Sequence, residues 1–443
     1  MTKLTTSSYR KHTTVVNSIA FLPSIISTGF FLLAFGVHYF ESTPLSMALE
    51  KRLPFELVRN SQKAQVILST LATGTISLTV FSFSMVMIVL SQASNNLTPR
   101  VIPGLTTARS HQVVLGFYIG TIIYTLLVLL NYQPVANTSK VPVIAILLAL
   151  AFGLICLALF VYFIHSISRA IQVDNILNSL YHKSISALNQ ENKMPAKSLA
   201  PSKSNDDEFS FALKNTTSGY LENINLTALQ SLAKENKMQL KILVEEGSFV
   251  VEGLPLLRST KDIVQREDLE EKLQRCFTLK QEEVVMEDFE QGVKQISEIA
   301  VKALSPGIND PGTAMKAIDF LTLLFIRRLK TEDKNCLLDE NNQVQVIDFT
   351  VSLDELMHRY LSPIRTYGKE DFQLNLRLLK CIHSLLCQQP DAEKEKTIRK
   401  HAFAVISDAD KTISNAVDRE RLNDYLVEVN KLLSEGNKLK MLR

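Results

Sequence analysis

The stretch SPGINDPGTA, residues 305–314, holds the densest set of side chains that could do chemistry. A helix beginning at Pro311 would present unpaired N–H groups and a partial positive charge, the makings of an anion site. Ser305, Asn309 and Thr313 would add neutral donors. Asp310 opposes an anion unless its carboxylate caps that helix. Together with Asp288 or Glu287 it could instead hold a hard cation through oxygen ligands. The same letters also read as plain architecture. Pro306 and Gly307 stop one helix, and Asp310 with Pro311 starts the next. Sequence leaves both readings open.

A second group is a set of hydroxyls in an apolar segment. At 100° per residue, Ser69, Thr70, Thr73, Ser77, Ser84, Ser91 and Asn95 fall within about a quarter-turn of one another on a helix, while Thr75, Thr79 and Ser82 face elsewhere. In lipid such a stripe either packs against another helix or lines a hydrated path. A path would be gated near Gln92, Asn95, Asn96 and Arg100, and Arg100 with Arg109 would favour anions. Because four helices seldom enclose a pore, this reading expects a homo-oligomer.

Enzyme chemistry finds no comparable set. The eight histidines form no His-Glu-x-x-His metal motif, and phosphate-binding, dinucleotide and serine-elbow signatures are missing. Cys381, His383 and Cys387 lie close in sequence, but on a helix Cys381 points away from the other two. The acidic run Glu282, Glu283, Glu287, Asp288 and Glu290 reads as a solvated helix face. No catalytic residue, metal ligand or cofactor is assigned.

The elements that must position these residues begin with four apolar runs at about 19–40, 66–90, 113–131 and 141–165, none with Asp, Glu, Lys or Arg inside. Each is long enough to cross a hydrocarbon core of about 30 Å. The first is too long for a signal peptide's apolar region and reads as a retained span. Seven Lys and Arg on the side of the N-terminus oppose five on the other, which expects both termini in the cytoplasm. The net charge of +3 is too small to imply nucleic acid, and the five scattered cysteines form no disulfide framework.

Span four is expected to continue as a helix through SISRAIQVDNILNSL, completing a four-span domain over 1–180. A flexible linker is expected at 181–208, a small β-rich module at 209–260 and a helical domain at 261–443. In the module, SGYLENI, MQLKILV and FVVEGLPLL read as strands around the helix LTALQSLAKENK, a pattern that resembles half of a barrel-sandwich module of the biotinyl/lipoyl type. No lysine sits at a hairpin tip for covalent attachment, so a structural or docking role is expected. Ser352 and Glu355 mark a capping box. Helices are expected near 262–276, 287–304, 311–330, 352–361, 369–387, 391–413 and 416–435.

ALSPGINDPGTAMKAIDFL resembles the signature of an uncharacterised family of bacterial membrane proteins, catalogued as domain of unknown function 2254. FSFSMVMIVLSQASNNLTPRVIPGLTTARSHQVVLGFYIGTIIYTLLVLL is similar to its second and third spans, and SGYLENIN and SPIRTYGKEDFQLNLRLL also match, so the resemblance covers most of residues 20–390. It implies four N-terminal spans and a cytoplasmic C-terminal region, with no established activity. Where the family carries Arg-Thr, Gln-Asp and an aromatic-Gly pair, this chain has Glu283-Val284, Glu287-Asp288 and Gln291-Gly292. Only Asp288 and Gly292 are kept.

The expectation is a bacterial inner-membrane protein, multi-pass in the lipid bilayer: an oligomeric channel or passive transporter for small ions with a cytoplasmic regulatory domain. The alternative is a non-transporting scaffold or sensor whose soluble region binds a partner or small ligand.

Overall fold

The computed structural model describes residues 20–44, 46, 61–96, 109–131, 141–170, 172–191, 197–199, 208–263, 267–282, 288–331, 334–339, 341 and 343–442. The chain divides into two compact units, Met1–Asn175 and Ile176–Arg443.

The first unit is built from α1 (Phe21–Glu41), α2 (Ser61–Asn96), α3 (Arg109–Asn131) and α4 (Val143–Ala170). All four are long and apolar enough to cross a membrane. Their charged residues lie only near the helix ends, as at Glu41, Lys63, Arg109 and Arg169, where a side chain can reach the interface. At 36 residues α2 is about 54 Å long and exceeds the hydrocarbon thickness.

Helix α3 packs against α1, α2 and α4. Its glycines explain the close fit to α1. A Cβ on Gly116 would stand 2.9 Å from Ile26 Cδ1 and 3.0 Å from the Pro23 Cα, and one on Gly120 would stand 2.5 Å from the Phe30 ring. Four residues apart, the two glycines form the small-residue seam that lets membrane helices approach. Phe30 fills the space they leave, in edge contact with Phe117 at 5.0 Å and Phe152 at 4.8 Å. At one end of the bundle, Glu41 Oε1 accepts from the Ala145 amide at 2.9 Å, so a carboxylate satisfies an open N–H in the first turn of α4. The Tyr124 hydroxyl donates to the Ala145 carbonyl at 3.2 Å.

Helix α5 (Val173–Glu191), all but its first three residues in the second unit, follows α4 and reaches into the segment read as a linker. The described residues of the second unit form nine short strands: β1 (Lys197–Leu199), β2 (Phe211–Lys214), β3 (Gly219–Ile224), β4 (Leu240–Ile242), β5 (Phe249–Val250), β6 (Pro255–Ser259), β7 (Phe277–Lys280), β8 (Lys334–Leu338) and β9 (Val344–Ile347). They form a six-stranded sheet of order β1-β8-β9-β4-β6-β2 and a three-stranded sheet of order β5-β3-β7. Helices α6 (Leu226–Asn236) and α7 (Glu267–Gln274) lie between strands in the chain.

This is not the strand order of a self-contained barrel-sandwich module. Strands of residues 209–260 are divided between both sheets, and β4 pairs in parallel with β9, with Leu240 opposite Val346. The reason is edge coverage: a β4 with its open side unpaired would leave backbone N–H and C=O groups without partners. Leu240, Ile242, Leu257, Leu337 and Val346 then share one apolar core with Leu229 and Ala233 of α6.

The remaining helices are α8 (Phe289–Ala303), α9 (Pro311–Leu329), α10 (Leu353–Gly368), α11 (Phe372–Leu386), α12 (Ala392–Thr412) and α13 (Ala416–Leu432). Each starts on a side chain that accepts from its first turn: Asp288, Asp310, Ser352, Asp371, Asp391 and Asn415. Ser352 is the cap expected, accepting from the Glu355 amide at 3.2 Å, but the Glu355 carboxylate turns to Arg359 instead of completing the box. Helix α11 packs against α9, α12 and α13, burying Leu374, Leu378, Ile382 and Leu385. Gly292 of α8 lies so close to α5 that a Cβ there would overlap the Ser184 hydroxyl.

Candidate functional site

On α2, the side packed into the bundle carries Ala64, Leu68, Ala72, Thr75, Ser82 and Val89, all buried. At 100° per residue this face is centred about 180° from the hydroxyl stripe. Ser69, Thr70, Thr73, Ser77, Ser84 and Ser91 are accordingly all exposed on the outer side, as is Gln92. Among the described residues of α2, the buried hydroxyls are Thr75 and Ser82, two of those that the spacing had set apart from the stripe. Ser77 Oγ donates to the Thr73 carbonyl at 3.0 Å, the usual way a helix satisfies a hydroxyl away from water. The stripe is interleaved with exposed Val66, Val80, Met87 and Ile88. Asn95 and Asn96 lie in the last turn of α2 and Arg109 opens α3, exposed. Arg100 lies outside the described residues.

The 305–314 segment has the geometry of a stopped helix followed by a capped one. Helix α8 ends at Ala303, Asn309 takes a left-handed φ of 49°, and the Asp310 amide returns to the Ala303 carbonyl at 2.8 Å. Asp310 Oδ1 accepts from the Thr313 amide at 3.0 Å and Oδ2 from the Thr313 hydroxyl at 2.6 Å. Ser305 Oγ donates to the Lys302 carbonyl at 2.7 Å. Two of the three neutral donors expected to face a ligand are thus engaged locally. Pro306 and Gly307 are exposed, and Pro311 takes the first helical position, where its missing N–H costs nothing.

The paired-carboxylate alternative is corrected by the same geometry. Asp288 caps the start of α8, accepting from the Gln291 amide at 2.7 Å, whereas Asp310 lies beyond its end. The 15 residues of α8 separate them by about 22 Å, too far to share one ion. Glu283, Val284 and Glu287 lie outside the described residues. Among the described residues no group of three or more His, Cys, Asp and Glu converges as metal ligands would. Cys381 is buried, its thiol pushed up to about 12 by burial, while Cys387 is exposed beside His383.

A cluster that sequence spacing missed joins three elements. Arg359 of α10 donates through Nη1 to Glu245 at 2.9 Å and to Glu290 at 3.0 Å, and through Nε to Glu355 at 2.7 Å. The Tyr360 hydroxyl donates to the same Glu290 oxygen at 2.5 Å, and Ser297 Oγ donates to the Tyr360 carbonyl at 2.7 Å. Glu290 therefore does not belong to a solvated face; its side chain is only 18% exposed. Burial, with a hydrogen bond to Glu245, raises its carboxyl to about 7. Burial also raises Asp288, and burial followed by the Glu290 hydrogen bond raises Tyr360. The available signal was the seven-residue spacing of Glu290 and Ser297 along the flank of the apolar stripe of α8, which places both toward one neighbour.

A second buried group is His401, whose Nε2 lies 3.0 Å from Asp354 Oδ1. Burial lowers its pKa despite that partner. It borders a cavity of about 10 Å³ with Ser362, Arg365 and Ile382, room for about one water molecule.

A profile described as "predicted membrane protein (DUF2254)" matches residues 16–384. An uncharacterized protein of Mycobacterium bovis is 22% identical over 349 residues, covering 76% of this chain and 66% of the relative. An uncharacterized protein of Mycobacterium tuberculosis aligns with the same identity and coverage. The aligned part thus spans just under two thirds of the length of these relatives. No solved structure matches. With four helices suited to a bilayer and a family match across most of its length, this chain belongs to the DUF2254 family of predicted membrane proteins.

Proposed function

We propose that the chain works as the subunit of a homo-oligomeric channel or passive transporter for small ions in a bacterial inner membrane, with the second unit as a cytoplasmic regulatory domain. One observation carries this reading: the hydroxyl stripe of α2 lies opposite the face that packs into its own bundle. The bundle interior is filled by Phe30, Leu68, Tyr118, Tyr124 and Ile146, which favours a path between subunits over one through a single chain. A second copy would convert exposed Ser69, Thr73, Ser77, Ser84 and Ser91 into a hydroxyl-lined contact or channel wall. The excess of Lys and Arg on one side supports termini in the cytoplasm.

The competing reading is a non-transporting scaffold or sensor. It draws on the apolar residues Val66, Val80, Met87 and Ile88, which make the same face acceptable to lipid. Liposomes loaded with an ion-sensitive dye separate the two. Transport expects ion flux that Ser77→Leu and Ser84→Leu each reduce severalfold while the protein still inserts. Absent flux in the wild type, or flux indifferent to both substitutions, favours the scaffold.

A further inference from the structure

The turn between β4 and β5 carries Glu245 to a place where α8 and α10 also meet it. Glu245, Glu290 and Glu355 surround the guanidinium of Arg359, and Glu245 Oε2 and Glu290 Oε1 both accept from its Nη1, at 2.9 and 3.0 Å, which brings the two carboxylates side by side. Two carboxylates can bond to each other only through a proton that one of them keeps.

We propose that this cluster is a proton-operated latch: a proton shared by Glu245 and Glu290 ties the β4–β5 turn to α8 and α10, and its departure to solvent leaves three carboxylates around one guanidinium and releases the turn. The proposal does not depend on the transport reading.

The other groups around Glu290 do not supply the missing positive charge. Tyr360 of α10 donates a neutral hydroxyl, and His358, its neighbour along the helix, is exposed. Asp288 at the start of α8 adds another carboxylate, which Lys294 six residues on partly offsets. From α5, Ser184 packs on Gly292; from α9, Arg328 donates to the Val351 carbonyl at 3.0 Å. Within the turn, Glu246 is held elsewhere, accepting from the Ile224 amide at 2.6 Å.

The sign follows from the raised carboxyl of Glu290, at about 7 against an ordinary 4.5. The closed latch binds the proton more tightly than the open one. Closure is therefore favoured on the acid side and lost progressively as pH rises between those two values, by up to about tenfold per pH unit.

Hydrogen–deuterium exchange on the full chain in detergent micelles, corrected for intrinsic exchange, tests this over about pH 5 to 8. In the wild type, protection of residues 243–250 should fall more than tenfold between about pH 5 and pH 7. Glu290→Gln and Glu245→Gln each keep a permanent donor at the shared contact, so their profiles should be flat and protected. Protection of α11, distant in sequence, reports whether each variant is folded. A flat wild-type profile overturns the latch whatever the variants do. So does a wild-type decline that a folded Gln variant reproduces.

Discussion

The seam between α1 and α3 allows the sharpest prediction, because four glycines of the membrane unit differ only in what an added methyl would meet. At Gly36 nothing lies within 4 Å, so Gly36→Ala should be neutral or stabilising by up to about 1 kcal/mol through helix propensity alone. At Gly153 the methyl would meet Leu71 Cδ2 at 2.6 Å, the end of a flexible chain that can rotate away. At Gly120 it would stand 2.5 Å from Phe30 Cδ2 and 2.7 Å from Cγ. Ordinary carbon contacts are about 3.5–4.0 Å, so the ring must move by about 1 Å. Phe117 and Phe152 hold that ring in place. At Gly116 the obstacle includes the Pro23 backbone, so α1 itself must shift. Overpacking of this kind costs about 1–3 kcal/mol, which outweighs the propensity gain at Gly116 and Gly120 and only balances it at Gly153.

The chain has no tryptophan, so heat denaturation in detergent is best read by alkylation of Cys156. That thiol is buried in α4 and lies 3.3 Å from Thr121 Oγ1, the residue after Gly120. Peptide mass spectrometry then gives the temperature at which Cys156 becomes reactive. The expected order of midpoints is Gly36→Ala at or above wild type, Gly153→Ala close to it, and Gly120→Ala and Gly116→Ala clearly below. Adding Phe30→Leu to Gly120→Ala should recover part of the loss, a coupling that independent sites do not have. If Gly120→Ala tolerates heat as well as Gly36→Ala does, or if Phe30→Leu simply adds its own cost, the proposed seam is wrong.

Two further outcomes concern the second unit. Asp310→Ala removes the acceptor for the Thr313 amide and hydroxyl and should cost about 1 kcal/mol, read as about fivefold lower exchange protection in the first turn of α9, with Asp310→Asn recovering most of it. Those bonds hold the Asp310 carboxyl below the usual range, so the difference from wild type should close in acid as it protonates. His401 is held below the ordinary histidine range by burial, so its contribution is full above that range and lost as pH falls toward its folded value. The unfolding midpoint, followed at buried Cys381, should drop with pH through that window in the wild type and be flatter in His401→Gln.

What could be read from the sequence was what neighbouring residues decide among themselves. Charge-free apolar runs marked the four spans, because a charge inside hydrocarbon is costly wherever the helix packs. Asp310 before Pro311 marked the start of α9 and Ser352 that of α10, because a cap satisfies N–H groups two or three residues away. Most helices of the second unit fell close to their expected limits for the same reason. The stretch near 262–276 did not: among its described residues Glu267–Gln274 is helical, and the following Phe277–Lys280 pairs with β3 as a strand. Strands β8 and β9 were not expected: they pair with each other locally, but each also needs β1 or β4, about a hundred or more positions away, to cover its other edge.

By itself, then, the sequence determined that four segments suit a bilayer and that a loop at 305–314 separates two helices. Only the tertiary structure decided which face of α2 is turned outward, that Gly116 and Gly120 admit α1, and that Glu245, Glu290 and Arg359 meet although 45 to 114 positions separate them. The physical reason is one of range. Helix propensity, capping and transfer into lipid are set within a turn or two of chain, whereas packing faces and carboxylate pairs exist only once distant segments share the same space.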